Sequence, residues 1–184
     1  MTTQTKSTVE YRYRIEPDDC LESPRDWDNL SVFYCFHNCY SLGDNHSIDH
    51  NNYDSWGELA ESEFGLDDII VPLYMLDHSG LTLSSTPFSC PWDSGRVGFA
   101  VVSKDRIVSE YGVYNDNSKE KALARIDAEI ETYNQYLCGD VHTIFIDEQC
   151  EGCGSWDIVD SCGGFYGYDY AESEAIALLA EYNK

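Results

Sequence analysis

Basic residues are scarce in this chain: 11 Lys and Arg stand against 34 Asp and Glu among 184 residues, a formal net charge of −23. A soluble domain usually carries a net charge of about 2 to 8 in magnitude, so the excess goes beyond what solubility requires. The deficit excludes direct binding to nucleic-acid backbones, which proteins neutralise with Lys and Arg, and to anionic membrane surfaces. No apolar run approaches the length of a membrane span, and residues 1–8 (MTTQTKST) lack the apolar core of a secretory signal. The expectation is a cytoplasmic protein. Phosphate-loop and Gly-x-Gly-x-x-Gly patterns are also missing, which leaves nucleotide chemistry without a motif. Asp44 to Asp49 (DNHSID) lacks the spacing of an EF-hand calcium loop.

What is present argues for a folded protein. Apolar residues make up 42% of the chain, and 14 Tyr, 7 Phe and 4 Trp are too many for an acidic disordered tail. The length suits one domain, which buries roughly 70% of its unfolded surface without disulfides or metals. The expectation is therefore a flexible N-terminal tail over residues 1–9 and a single acidic domain over residues 10–184. Eight Cys fall below the density of a disulfide scaffold.

Periodicity predicts a mixture of strands and helices. Glu10 to Ile15 alternates, with Tyr11, Tyr13 and Ile15 on one side and Arg12 and Arg14 on the other. Leu30 to His37 reads as a buried strand, Ser55 with Glu58 caps a short helix closed by Gly65, and Ile69 to Leu76 with Leu81 to Thr86 form a hairpin. Arg96 to Val102 is a strand, and Ile107 to Val113 is expected to pair with it through a turn at Lys104-Asp105. Between Ser118 and Cys138, Leu123, Ile126, Ile130, Tyr133 and Leu137 recur at helical spacing, with Asn117 and Glu120 as cap and partner and Gly139 as the stop. Two strands, Val141 to Ile146 and Trp156 to Val159, precede a last helix capped by Asp169 and Glu172. This order predicts an α+β fold with an antiparallel sheet, hairpins and about three helices.

The acids themselves are the main functional signal. They crowd the loop at Glu16, Asp18, Asp19, Glu22, Asp26 and Asp28, recur at Asp67-Asp68, and stand four residues apart at Asp127 and Glu131 on the long helix. Like charges at that spacing cost a few tenths of a kcal/mol. Repulsion kept without local compensation points to a partner that supplies the positive charge. Double-stranded DNA carries about one negative charge per 1.7 Å of axis and is held in grooves lined with Lys and Arg. A rigid protein bearing carboxylates fits such a groove, and its Tyr and Trp side chains add contact area.

Several phrases carry a resemblance: Ser23-Pro24-Arg25, Trp27-Asp28-Asn29-Leu30, Leu42-Gly43-Asp44, His78-Ser79-Gly80, Pro87-Phe88-Ser89-Cys90-Pro91-Trp92-Asp93-Ser94-Gly95 and Gly163-Gly164-Phe165-Tyr166-Gly167. Over most of its length the chain resembles a family of small acidic proteins of phages and other mobile elements. In size and charge it is similar, as a class, to antirestriction and anti-CRISPR proteins, many of which are DNA mimics. The resemblance implies an anti-defence role in a host cell and supplies no catalytic residues. The leading expectation is thus a non-enzymatic, phage-derived inhibitor. Its target is the basic DNA-binding groove of a host nuclease, either a Cas9-type effector or a restriction enzyme. Its contacts are expected at Glu16, Asp18, Asp19, Glu22, Asp26, Asp28, Asp67, Asp68, Asp127 and Glu131.

Two other classes compete with it. Cys150-Glu151-Gly152-Cys153 has zinc-knuckle spacing, and Cys138 with Cys162 would complete a four-thiolate structural zinc site. Cys35, His37 and Cys39 form a weaker ligand-like trio if the strand extends that far. Cys90, His78 and Asp93 suit a cysteine nucleophile, which with the zinc reading makes a small cysteine- or zinc-dependent phage enzyme the first alternative. An acidic accessory protein without a nuclease target is the other.

Overall fold

The computed structural model describes residues 9–184, so residues 1–8 of the expected tail lie outside the described residues. The fold is α+β, and the described residues form seven strands in two antiparallel sheets and four α-helices. The described residues divide into two compact units, residues 23–138 and residues 9–22 with 139–184.

In the unit of residues 23–138, the sheet is built from β2 (Val32–Cys35), β3 (Ile69–Asp77), β4 (Leu81–Ser84) and β5 (Ser94–Val102) in the order β2-β5-β3-β4. The fully buried second half of β5 lies between β2 and β3. Its alternating side chains separate two apolar clusters. Ala100 and Val102 join Leu73, Leu83 and Phe33 on the side covered by the long helix, as does Val97 where a bulge against β3 breaks the alternation, whereas Phe99 and Val101 pack with Leu59, Trp56 and Phe64. Gly98 sits opposite Cys35, where a Cβ would overlap the Tyr34 carbonyl oxygen; only a residue without a side chain lets the two strands close.

Three helices belong to this unit. α1 (Trp56–Glu63) begins at Ser55, whose hydroxyl accepts from Glu58 N, as the capping spacing predicts. α2 (Lys104–Tyr111) replaces the expected strand over Ile107–Val113. Ser103 caps it by accepting from Arg106 N, Ile107 is buried one turn before Tyr111, and Gly112 closes it in the left-handed conformation (φ 75°). The supposed Lys104-Asp105 turn is the first turn of that helix. α3 (Asp116–Cys138) buries Ala122, Ile126, Ile130 and Tyr133, while Leu123 is 44% exposed and belongs to the outer side. Its cap is also shifted from the expected Asn117 and Glu120: Asn115 Oδ1 accepts from Ser118 N, and Ser118 Oγ accepts from Asn115 N.

In the other unit, β1 (Tyr11–Pro17), β6 (Val141–Gln149) and β7 (Trp156–Tyr166) form a sheet in the order β1-β6-β7, and α4 (Tyr168–Tyr182) packs on one face. Tyr11, Tyr13 and Ile15 alternate onto the side of α4 with Ile144, Ile146 and Ala175. β7 is an edge strand, longer than the expected Trp156 to Val159, and is exposed from Asp157 to Gly164. α4 follows Gly167 with no side-chain cap, so Asp169 and Glu172 stand within the helix and not at its cap.

Candidate partner-binding surface

The surface chemistry follows from where the few cations go. In β1, Arg12 and Arg14 both reach the fully buried Asp147, at 2.9 and 2.8 Å, and Arg14 also holds Glu16. Lys104 takes Asp67 at 2.8 Å, Arg106 takes Asp28 at 2.7 Å, and Arg125 takes Glu129 at 3.3 Å. Lys119 and Lys184 pair with Asp116 and Glu181. Arg25 bridges Asp44 at 2.7 Å and Glu129 at 3.4 Å. The other two cations lie over rings, Arg96 at 4.4 Å from Phe99 and Lys121 at 6.0 Å from Tyr111. Every described Lys and Arg is thus engaged within its own unit, and together these described Lys and Arg pair with eight of the 34 carboxylates.

The Arg25 cluster explains several of the quoted phrases. The Arg25 guanidinium carbon lies over the Phe33 ring, 3.8 Å from its centroid, and Arg25 donates to Ser31 O at 2.6 Å. Glu129 accepts from Leu30 N, Ser31 N and Ser31 Oγ, and Asp44 accepts from Phe33 N at 2.6 Å. Gly43, beside Asp44, donates its N–H to the Tyr133 hydroxyl. The phrases Ser23-Pro24-Arg25, Asn29-Leu30 and Leu42-Gly43-Asp44 thereby meet in one buried ionic network. Their spacing serves the fold.

The expected interface carboxylates split into two groups. Asp18 accepts from Cys20 N and Gly164 N, both at 2.8 Å, and these bonds hold its carboxyl below the usual range. Asp67 is held low by Lys104, and Asp68 accepts from Gly65 N and Lys104 N. Glu16 and Asp28 are ion-paired, as above. These five organise the protein's own loops and side chains. Asp19, Glu22, Asp26 and Glu131 are exposed without a Lys or Arg partner among the described residues, and Asp127 accepts only from Ser85 Oγ at 3.2 Å. The acid-rich loop is also shared out, Glu16 to Glu22 lying in one unit and Asp26 and Asp28 in the other.

Further acidic surface lies outside the expected set. α4 contains Asp169, Glu172, Glu174 and Glu181 and no Lys or Arg, and β7 exposes Asp157 and Asp160 beside Ile158 and Val159. α1 adds Glu58, Glu61 and Glu63. The missing i±4 cations along α4 are the signal in the sequence that marks it. Large apolar side chains stand among the acids: Trp92 is 91% exposed between Pro91 and Asp93, and Leu66 projects fully beside Asp67.

Near Trp92, the structure brings Cys90, His78 and Asp93 together, but with the carboxylate in the middle. Asp93 Oδ2 accepts from Cys90 Sγ at 3.5 Å and lies 3.4 Å from His78 Nδ1. A cysteine nucleophile needs the imidazole at the sulfur, and that order is absent. The Cys35, His37 and Cys39 trio also fails to share a face, because β2 ends at Cys35. Burial pushes the Cys35 thiol up to about 12, and His37 Nδ1 accepts from Cys39 N and Tyr40 N instead.

The four zinc-candidate thiols are not assembled. Cys150 and Cys153 share the β6–β7 turn, whereas Cys162 faces Ile144 five ladder positions away, about 17 Å at the rise of a strand. Cys138 ends α3 in the other unit and donates to Gln135 O. Among the described residues, no three His, Cys, Asp or Glu side chains are grouped to hold a metal. At the turn, the Ser155 hydroxyl and backbone N–H, with a smaller contribution from Cys150, hold the exposed Cys153 thiol below its ordinary range.

No described helix is long and apolar enough to cross a membrane. Compared with known protein families, characterised proteins and solved structures, the chain matches none.

Proposed function

We propose that this protein is a non-enzymatic, phage-encoded inhibitor that acts in the host cytoplasm. It occupies the basic DNA-binding groove of a defence nuclease, of Cas9 type or a restriction enzyme, and keeps DNA out. The observation that supports this reading is the commitment of every described Lys and Arg to internal partners, which leaves a carboxylate-dominated surface for a cationic partner. Asp19, Glu22, Asp26, Asp127 and Glu131, the unpaired acids of α4 and β7, and the exposed Trp92 are its contact residues. Aromatic anchors of this kind dominate protein interfaces, whereas rim charges steer encounter.

The test is a DNA-cleavage titration against purified Cas9-type and restriction nucleases, with the protein added before or after DNA at low and physiological salt. Inhibition that requires addition before DNA and weakens with salt is expected. Reversing Asp127 and Glu131 to Lys should weaken it, and Trp92→Ala should weaken it by about 2 kcal/mol, roughly thirtyfold. Cleavage unaffected across the panel at either salt overturns the reading for those nucleases.

A further inference from the structure

The tip of the β6–β7 hairpin carries chemistry that the inhibitor reading does not use. Cys150 N donates to Ser155 O and Gly154 N donates to Cys150 O, both at 2.8 Å, so residues 150–154 close a five-residue turn with Gly154 at φ 72°. A turn of this helical type sets Cα atoms three residues apart at about 5 Å, inside the usual disulfide window of about 4.4–6.8 Å between Cα atoms. The Ser155 hydroxyl lies 3.0 Å from Cys153 Sγ. Cys153 is solvent-exposed and Cys150 is partly covered. Two sulfurs suffice for a disulfide, while a tetrahedral metal site needs four donors.

We propose that Cys150 and Cys153 are a redox dithiol, a modification site that interconverts with an intramolecular disulfide by exchange with a low-molecular-weight disulfide of the glutathione class. The exposed Cys153 thiolate attacks one sulfur of the small disulfide, whose S–S bond breaks and releases one thiol. Cys150 then gives its proton to solvent and attacks Cys153 Sγ, and the second thiol departs with a proton. Two protein thiols are oxidised and one small disulfide is reduced to two thiols. The product is a covalent clip at the tip of the hairpin whose second strand is the exposed sheet edge.

The experiment incubates the full-length protein with glutathione disulfide at neutral pH, in chelator, and maps alkylated peptides by mass. A Cys150–Cys153 disulfide should form before Cys20, Cys39, Cys138 or Cys162 is glutathionylated. Cys150→Ser should stop at the mixed disulfide on Cys153, Cys153→Ser should react at least tenfold more slowly within this turn, and Ser155→Ala should slow formation severalfold. Equal rates for the two serine variants, or glutathione accumulating on both cysteines of the unsubstituted protein without ring closure, overturn the proposal. A repeat with zinc in place of chelator adds a second check: if one zinc per two chains binds these thiols without a prior disulfide ever forming in chelator, the turn is a shared metal ligand and the dithiol reading falls.

Discussion

Arg25 shows how a single cation is used in an acidic chain. Its side chain is almost wholly buried, yet each arm of the guanidinium has an acceptor and its central carbon lies over the Phe33 ring. Removing one partner of a buried pair strands the other, at a cost of about 3–5 kcal/mol. Arg25→Ala should therefore lose about that much stability in urea unfolding, leaving Asp44 without its cation and Glu129 with Arg125 as its one remaining ion-pair partner. Asp147 is the counterpart in the other unit. Burial pushes its carboxyl upward, but the hydrogen bonds from Arg14 and Arg12 outweigh it and the net shift is downward. A carboxyl depressed in the native state adds stability above its unfolded pKa, about 3.9, and that stability is lost as pH falls through the native value. Asp147→Asn should be less stable at pH 7, and its stability curve should converge on that of the parent as pH falls below about 4, read by denaturant unfolding at each pH.

At the scale of elements, α2 is the instructive case. Ile107, Val108 and Val113 are β-branched and suggested a strand, but Ser103, Arg106 and Gly112 define a capped helix of two turns. Ser103→Ala should cost about 1 kcal/mol through loss of the cap, measurable as an earlier urea midpoint with unchanged slope. The long helix was legible because Ile126, Ile130 and Tyr133 recur at 3.6-residue spacing, and the β3–β4 hairpin because turn residues His78-Ser79-Gly80 interrupt two apolar runs. The outward position of Leu123 was not legible, since a leucine fits the pattern of either neighbouring stripe until the sheet selects one. The same holds for β7, whose Ser161, Cys162 and double Gly conceal a strand that is stabilised through pairing with β6.

For the whole molecule, self-repulsion is the dominant long-range effect. A net charge of −23 opposes compaction, and added salt shortens the screening length from about 30 Å at 0.01 M to about 8 Å at 0.15 M. The melting temperature should rise over that interval in a thermal scan, whereas a protein held chiefly by surface ion pairs would be weakened. Inhibition should move in the opposite direction, because its attraction is screened by the same salt. The two responses separate the cost of the charge to folding from its use in binding.

Composition alone determined the sign of the net charge, because that depends only on how many groups of each type the chain carries. Periodicity determined most strands and helices, because the side-chain repeat is local. Which carboxylates remain available was decided by the tertiary structure. Asp18, Asp67 and Asp68 look like Asp19 or Asp26 in sequence, but backbone N–H groups and Lys104 claim them. The same long-range placement separated Cys162 from the Cys150–Cys153 turn and drew Arg25, Asp44 and Glu129 together across 104 residues of chain. Those outcomes depend on distances between residues remote in sequence, which pairing register and packing fix and local pattern does not.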